Sequence, residues 1–97
     1  MTADNFRVRY TVEAAEDLEK AFKKWPQKRK KVRKAVSQLK EYGPEYRSLQ
    51  THRMKGLKAG KDPIYISYVE NHTPGAWRIH WSWCGSDIVI IYIGPHT

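Results

Sequence analysis

The stretch Ala76-Trp-Arg-Ile-His-Trp-Ser-Trp83, followed after a short turn by Asp87-Ile-Val-Ile-Ile-Tyr-Ile-Gly-Pro-His96, decides the fold of this chain. The first segment alternates in polarity with a period of two, which predicts a β-strand with its tryptophans on one face. Arg78 and His80 then share the other face. The second segment is apolar on both faces, which indicates a central strand, and it places His96 just beyond its end. Arg78 lies within one strand, and His96 lies at the edge of the neighbouring strand. In a very basic protein, this arrangement predicts a site that binds phosphate.

The size and charge of the chain limit its possible functions. Ninety-seven residues predict one small domain over residues 1–97, with a single core. No apolar run approaches the ~20 residues of a membrane helix, and the first residues lack a signal-peptide hydrophobic region, so we expect a cytoplasmic protein without membrane contact. Cys84 is the single cysteine and excludes an internal disulfide. The net charge of +8 favours a polyanionic partner, either nucleic acid or an acidic protein segment.

Much of the positive charge falls in one segment. Residues 20–40 hold ten of the eighteen Lys and Arg residues and no Asp or Glu. Within a helix at this position, Lys30, Arg33 and Lys34 point mostly outward and are candidates for RNA or ribosome binding. Two interpretations remain open for this segment, a solvated helix surface or a binding patch.

The remaining patterns predict an α+β domain with the element order β-α-α-β-β-β. The spacing of apolar residues, Thr11 as a helix cap and Pro26 as a helix break predict the boundaries. The expected elements are a strand at 6–11, a helix at 11–25, a second helix at about 27–42, a loop at 43–63, a strand at 64–69 and the two strands quoted above. Short connections predict an antiparallel sheet, with the two N-terminal helices packed on one face.

This order of elements, with four short motifs, resembles the RelE/ParE superfamily of bacterial toxin–antitoxin toxins across nearly the whole chain. The motifs are Phe6-x-Val-x-Tyr-Thr11, Leu49-x-x-His-x-Met-Lys-Gly-Leu57, Trp77-Arg-Ile79 and Ile93-Gly-Pro-His96. The resemblance implies a small curved antiparallel sheet flanked by two N-terminal helices.

The resemblance also implies a function. Members of the RelE branch are ribosome-dependent endoribonucleases that cut mRNA in the decoding site, whereas the ParE branch poisons DNA gyrase. Similarity to the RelE branch implies that Arg78 contacts the scissile phosphate and that His96 acts as an acid or base. It implies two partners, mRNA on the ribosome with contacts to rRNA, and a cognate acidic antitoxin that forms an oligomer with the toxin. The alternative is a non-nucleolytic binder, either a ParE-like gyrase-directed toxin or a catalytically inactive relative.

The chemistry of RNA cleavage agrees with these residue types. Attack by the 2′-oxygen needs a base, an acid and cations at the phosphate, and it needs no metal or cofactor. Histidine suits proton transfer because its ordinary pKa of ~6.5 lies near working pH, and the arginine fork suits phosphate. The catalytic candidates are Arg78, His96 and His80. His52 and Lys55, in the predicted loop, and Tyr65, on the following strand, join the basic segment as RNA- or ribosome-binding candidates.

Several of these residues have alternative interpretations. Arg78 could form a structural ion pair with Glu70 or Asp87, and His80 could be a polar residue on a half-exposed strand. His80 and His96 could instead form the acid–base pair of a ribosome-independent nuclease. The strand tryptophans are expected in the core, although an exposed tryptophan could stack on a base.

Overall fold

The protein is described by a computed structural model for residues 5–59, 62–70 and 75–95. The elements in chain order are β1 (Val8–Tyr10), α1 (Val12–Lys24), α2 (Lys28–Tyr42), a 3-10 turn (Arg47–Leu49), β2 (His52–Ala59), β3 (Asp62–Tyr68), β4 (Trp77–Cys84) and β5 (Asp87–Pro95). The α+β class with two N-terminal helices is confirmed. Within these ranges no helix is long and apolar enough to cross a membrane.

The sheet differs from the predicted one in two ways. Its strand order is β1-β5-β4-β3-β2, so it has five strands. The added strand, β2, lies in the segment predicted as a loop, because an edge strand rich in Lys and Gly lacks the alternation that marks half-buried strands. Strands β2 to β5 are antiparallel neighbours, but β1 pairs with β5 in parallel. The expectation of a purely antiparallel sheet is therefore wrong, because the helical connection lets β1 lie alongside the last strand.

The two helices begin and end close to the predicted positions. The Thr11 hydroxyl accepts a hydrogen bond of 3.0 Å from the backbone N–H of Ala14 and caps α1. Helix α2 begins after Gln27 and ends before Gly43. Gly43 has a φ of 89°, and a Cβ there would overlap the ring of Phe6, so both the backbone angle and the close approach require glycine.

Both helices pack on one face of the sheet. The buried residues of the helices form one cluster with those of the two central strands, and the cluster includes Leu18, Phe22, Val32, Ala35, Leu39, Trp77, Ile79, Trp81, Ile88, Ile90 and Ile93. Trp81 is 1% exposed and donates its indole N–H to the Ser67 hydroxyl at 2.9 Å. The prediction that the β4 tryptophans lie in the core is confirmed for Trp77 and Trp81. We call the opposite side of the sheet the open face.

A bulge in β5 keeps this packing in register. Ile79 is paired with Ile93 and Trp81 with Ile90, so Ile91 has no direct partner on β4. The extra residue lets Ile90 and Ile93 both face the helices although they are three positions apart. It also fixes which β5 side chains reach the open face.

Candidate functional site

Strand register brings a set of polar and aromatic side chains together on the open face. Tyr68 of β3 is paired with Arg78 of β4, and across β4 the same arginine is paired with Gly94 of β5. Two residues further along β4, His80 is opposite Tyr92. Because side chains alternate along a strand, these positions all face away from the helix-covered core. The predicted placement of Arg78 and His80 on one face is confirmed.

Arg78 is buried and rigidly held by neutral groups. It is 6% exposed, and its Nη1 donates to the backbone carbonyls of Glu70 and Trp77, each at 3.1 Å. Its guanidinium carbon lies 3.8 Å from the centroid of the Tyr68 ring, a cation–π contact. No carboxylate in the described part of the chain pairs with it.

The two carboxylates proposed as ion-pair partners of Arg78 bind other cations. Asp87 lies 3.2 Å from Nε of Arg9 and 3.8 Å from Nε of Arg7. The Glu70 carboxylate lies 2.7 Å from Nζ of Lys28 and also contacts Lys31. The structural ion-pair interpretation of Arg78 is therefore wrong.

Glu70 nevertheless helps to shape the site. Besides its two lysines, its carboxylate accepts a hydrogen bond of 3.0 Å from the backbone N–H of Trp77, next to Arg78. Burial raises the pKa of Glu70, but the hydrogen bonds from Lys28, Lys31 and Trp77 outweigh that effect and lower the pKa to about 2. Glu70 is thus ionised at neutral pH and ties α2 to the start of β4.

Three further rings lie on the same face of the sheet as the arginine. His80 is half-buried, and its ring centroid lies 5.3 Å from that of Tyr92, which is 39% exposed. His52 is exposed on β2, and its ring meets the edge of the Tyr68 ring with centroids 6.0 Å apart. The predicted loop residue His52 is thus part of a strand on the open face, where it is connected to Arg78 through Tyr68.

Two further candidates, Tyr65 and Lys55, lie at other positions of the sheet. Tyr65 is paired with Trp81 and stacks on its ring with centroids 4.8 Å apart, so it lies on the helix side of the sheet. Lys55 is exposed on β2, in the irregular part of its pairing with β3. His96 lies outside the described residues.

The basic segment of α2 is exposed, as predicted. Lys30, Arg33 and Lys34 all lie on the solvent side of the helix. A groove of about 530 Å³ lies between α2 and the end of β3, and Lys34 and Tyr68 both line it. Tyr68 therefore borders both the Arg78 site and a groove that reaches the basic helix.

Tyr68 is the site residue that sequence patterns did not indicate, whereas Tyr92 was a residue that strand pairing could bring within reach of Arg78 and His80. Both strands are apolar on both faces, so alternation could not show which tyrosines face the open side. The pairing with Arg78 and His80 depends on register and on the β5 bulge. A weak signal was present in Gly94, which interrupts an apolar strand.

The residue types of the site suit an anionic ligand. The cluster combines a fixed cation, two imidazoles and two phenols. Among the residues described, no group of three or more His, Cys, Asp or Glu could hold a metal ion. Arginine can bind a phosphate through its fork, and imidazole can transfer protons near neutral pH.

Comparison with known proteins agrees with the architecture. The sequence matches no protein-family model and no curated protein. Among solved structures, a chain of the E. coli DinJ–YafQ toxin–antitoxin complex superposes with a TM-score of 0.69 at 17% identity, over 96% of this chain and 94% of that one. The YoeB dimer from Staphylococcus aureus superposes with a TM-score of 0.66 at 19% identity, over 97% of this chain and 100% of that one. A chain of the S. aureus YoeB–YefM complex gives a TM-score of 0.65 at 19% identity, with the same coverage.

These similarities define the class of fold. The structure shares the α+β fold of a chain of the E. coli DinJ–YafQ toxin–antitoxin complex and of S. aureus YoeB. More particularly, two N-terminal helices cover one side of the sheet, as predicted.

Proposed function

We propose that this chain is the toxin of a type II toxin–antitoxin system and that it inhibits translation as a ribosome-dependent mRNA endoribonuclease. Arg78 carries the proposal. It is 6% exposed and pairs with no carboxylate in the part of the chain that the structure describes. A buried cation is costly unless an anion accompanies it. A phosphate bound at the open face would supply that anion.

The cleavage is an internal transfer at phosphorus. The bond from the 2′-oxygen to phosphorus forms while the bond from phosphorus to the 5′-oxygen breaks. A base takes the proton of the 2′-hydroxyl, and an acid gives a proton to the leaving 5′-oxygen. Arg78 stabilises the charge that grows on the phosphoryl oxygens. His80 lies two positions from Arg78 on the same face and is a candidate for proton transfer, as His96 also remains.

The ribosome supplies the positioning that this small site lacks. A bound ribosome holds the mRNA so that the 2′-oxygen, phosphorus and 5′-oxygen align for displacement. The exposed cations of α2, with Lys30, Arg33 and Lys34 among them, are suited to rRNA phosphates. His52 lies on β2 on the open face, where it would contact the same RNA, and the exposed Lys55 lies further along the same edge strand, where it would contact RNA beside it. Tyr65, on the other side of the sheet, would contact RNA separately from the cleavage site.

A cognate acidic antitoxin is the second partner that we propose. The E. coli DinJ–YafQ structure is a toxin–antitoxin complex, and S. aureus YoeB forms a complex with YefM. The charge of +8 here favours an acidic protein that would cover the same basic surface as RNA. The toxin would then be an inactive oligomer with its antitoxin in the cytoplasm, and active when released.

Purified protein and ribosomes programmed with a defined mRNA test the proposal by primer extension. Wild-type protein should cut the mRNA in the ribosomal decoding site, and Arg78→Ala should lose about 10²–10³-fold in rate. Arg47→Ala, at an exposed arginine of the 3-10 turn, is the matched control. If wild-type protein leaves mRNA intact and DNA synthesis fails first in cells, the gyrase-directed alternative is correct.

A further inference from the structure

The ring of Tyr92 occupies the space that a side chain at Gly94 of β5 would need. The glycines with positive φ are Gly43, Gly75 and Gly85 in the described residues, so the backbone at Gly94 does not itself require glycine. A Cβ added at Gly94 would overlap the hydroxyl of Tyr92 and would lie 2.6 Å from its Cζ. The Tyr92 side chain therefore extends along its own strand in the C-terminal direction and lies over the backbone of Gly94.

This conformation places the phenol hydroxyl at the level of Arg78. Tyr92 is paired with His80, whereas Gly94 is paired with Arg78. Paired residues of adjacent antiparallel strands have Cα atoms about 5 Å apart. The ring thus starts beside His80, with centroids 5.3 Å apart, and its hydroxyl ends over the residue opposite the arginine. Since Tyr92 is 39% exposed, an RNA strand on the open face could reach it.

We propose that Tyr92 is a further catalytic residue, whose hydroxyl donates a hydrogen bond to a non-bridging oxygen of the phosphate that Arg78 binds. This inference rests on the proposed ribonuclease function. Tyr92 keeps its proton during the reaction. The 2′-oxygen–phosphorus bond forms, the phosphorus–5′-oxygen bond breaks, and the proton lost from the 2′-hydroxyl and the one gained by the 5′-oxygen pass through other groups. The hydrogen bond strengthens as negative charge grows on the non-bridging oxygen, so it lowers the barrier.

Gly94 acts as a positioning residue in the same scheme. Its missing side chain leaves the space in which the hydroxyl lies. An alanine there would displace the ring of Tyr92, which is 39% exposed and lies outside the core cluster, so Gly94→Ala should remain folded. The hydroxyl would then no longer point to the phosphate.

Single-turnover cleavage on programmed ribosomes tests both roles. Tyr92→Phe should lower the cleavage rate by about 10–100-fold, the value of one hydrogen bond to a charged group, with unchanged affinity for ribosomes. Gly94→Ala should cause a similar loss. In the Tyr92→Phe background, Gly94→Ala should cost no more than about twofold, because both changes remove the same hydrogen bond. Tyr42→Phe, at a 53% exposed tyrosine of α2, is the control and should cleave normally.

A sulfur substitution separates a contact with phosphate from a structural effect. When sulfur replaces the non-bridging oxygen that Tyr92 contacts, the loss in Tyr92→Phe should shrink in one diastereomer, because sulfur is a weak acceptor. Wild-type rates in Tyr92→Phe, or equal losses from Gly94→Ala in both backgrounds, overturn the inference while the ribonuclease function stands. Wild-type protein that does not cleave overturns both.

Discussion

The guanidinium of Arg78 lies over the ring of Tyr68, with 3.8 Å between its central carbon and the ring centroid. A planar cation held on a ring face has little freedom to turn, and the two carbonyls that bind Nη1 restrict it further. The site therefore holds its cation in place before any substrate arrives.

Removing that ring should weaken catalysis more than binding. We expect Tyr68→Leu to lower the cleavage rate by about 2–30-fold, the range of a cation–π contact. Tyr68→Phe retains the ring and should stay near the wild-type rate. Single-turnover rates on programmed ribosomes give the comparison, and urea unfolding confirms that both variants fold. A Phe variant as slow as the Leu variant would mean that the ring face does not hold Arg78.

The Glu70 carboxylate should make the free energy of unfolding depend on pH in the acidic range. Its pKa falls from an ordinary 4.5 to about 2 in the folded protein. The stabilisation is therefore present above pH 4.5 and is lost as the pH falls toward 2, and its size is on the order of 3 kcal/mol. Urea unfolding of wild type and Glu70→Gln at pH 7 and near pH 2 should show a larger acid-induced loss in the wild type. Glu41→Gln, at an exposed carboxylate of α2, should behave as the wild type does.

The basic face of α2 should bind the ribosome through the phosphates of its RNA. Reversing charge at Lys30, Arg33 and Lys34 should weaken ribosome binding, because fewer counterions are released. The slope of log K against log salt should fall by about one for each lost contact. Arg7→Glu, just before β1 with a side chain 76% exposed, is the control. An unchanged slope in the triple variant would identify this face as a solvated surface.

The core should be sensitive to small losses of volume. Leu39 of α2 is fully buried, at 0% exposed. Leu39→Ala should cost about 2–5 kcal/mol in the free energy of unfolding, because it removes apolar contacts and leaves a cavity. Val12→Ala, at a 71% exposed position, should change it by less than about 0.5 kcal/mol. Equal losses at both positions in urea titrations would contradict the assigned core.

Local patterns predicted the elements that have their own sequence signals. Thr11 indicates a helix start because its hydroxyl caps a free N–H, and Pro26 indicates the break between the helices. The alternation around Ile79 and Trp81 correctly assigned one face of β4 to the core. In each case the deciding interaction lies within a few residues, so the sequence alone contains it.

Features that depend on pairing between strands far apart in the sequence could not be predicted from local patterns. β2 is an edge strand whose one neighbour is β3, and its pairing shifts between Arg53 and Lys58, so it carries no regular pattern. The bulge at Ile91 arises only when β4 and β5 are aligned. For the same reason Tyr68 and Tyr92 joined the candidate site only through strand register.

The parallel pairing of β1 with β5 has a consequence for synthesis. Val8, near the start of the chain, is paired with Ile88, near its end. During translation β1 leaves the ribosome without its neighbour, and the helices that follow have no β4 or β5 on which to bury their apolar sides. The open face around Arg78 is assembled from β3, β4 and β5. A growing chain therefore lacks the assembled site until β5 has emerged from the ribosome.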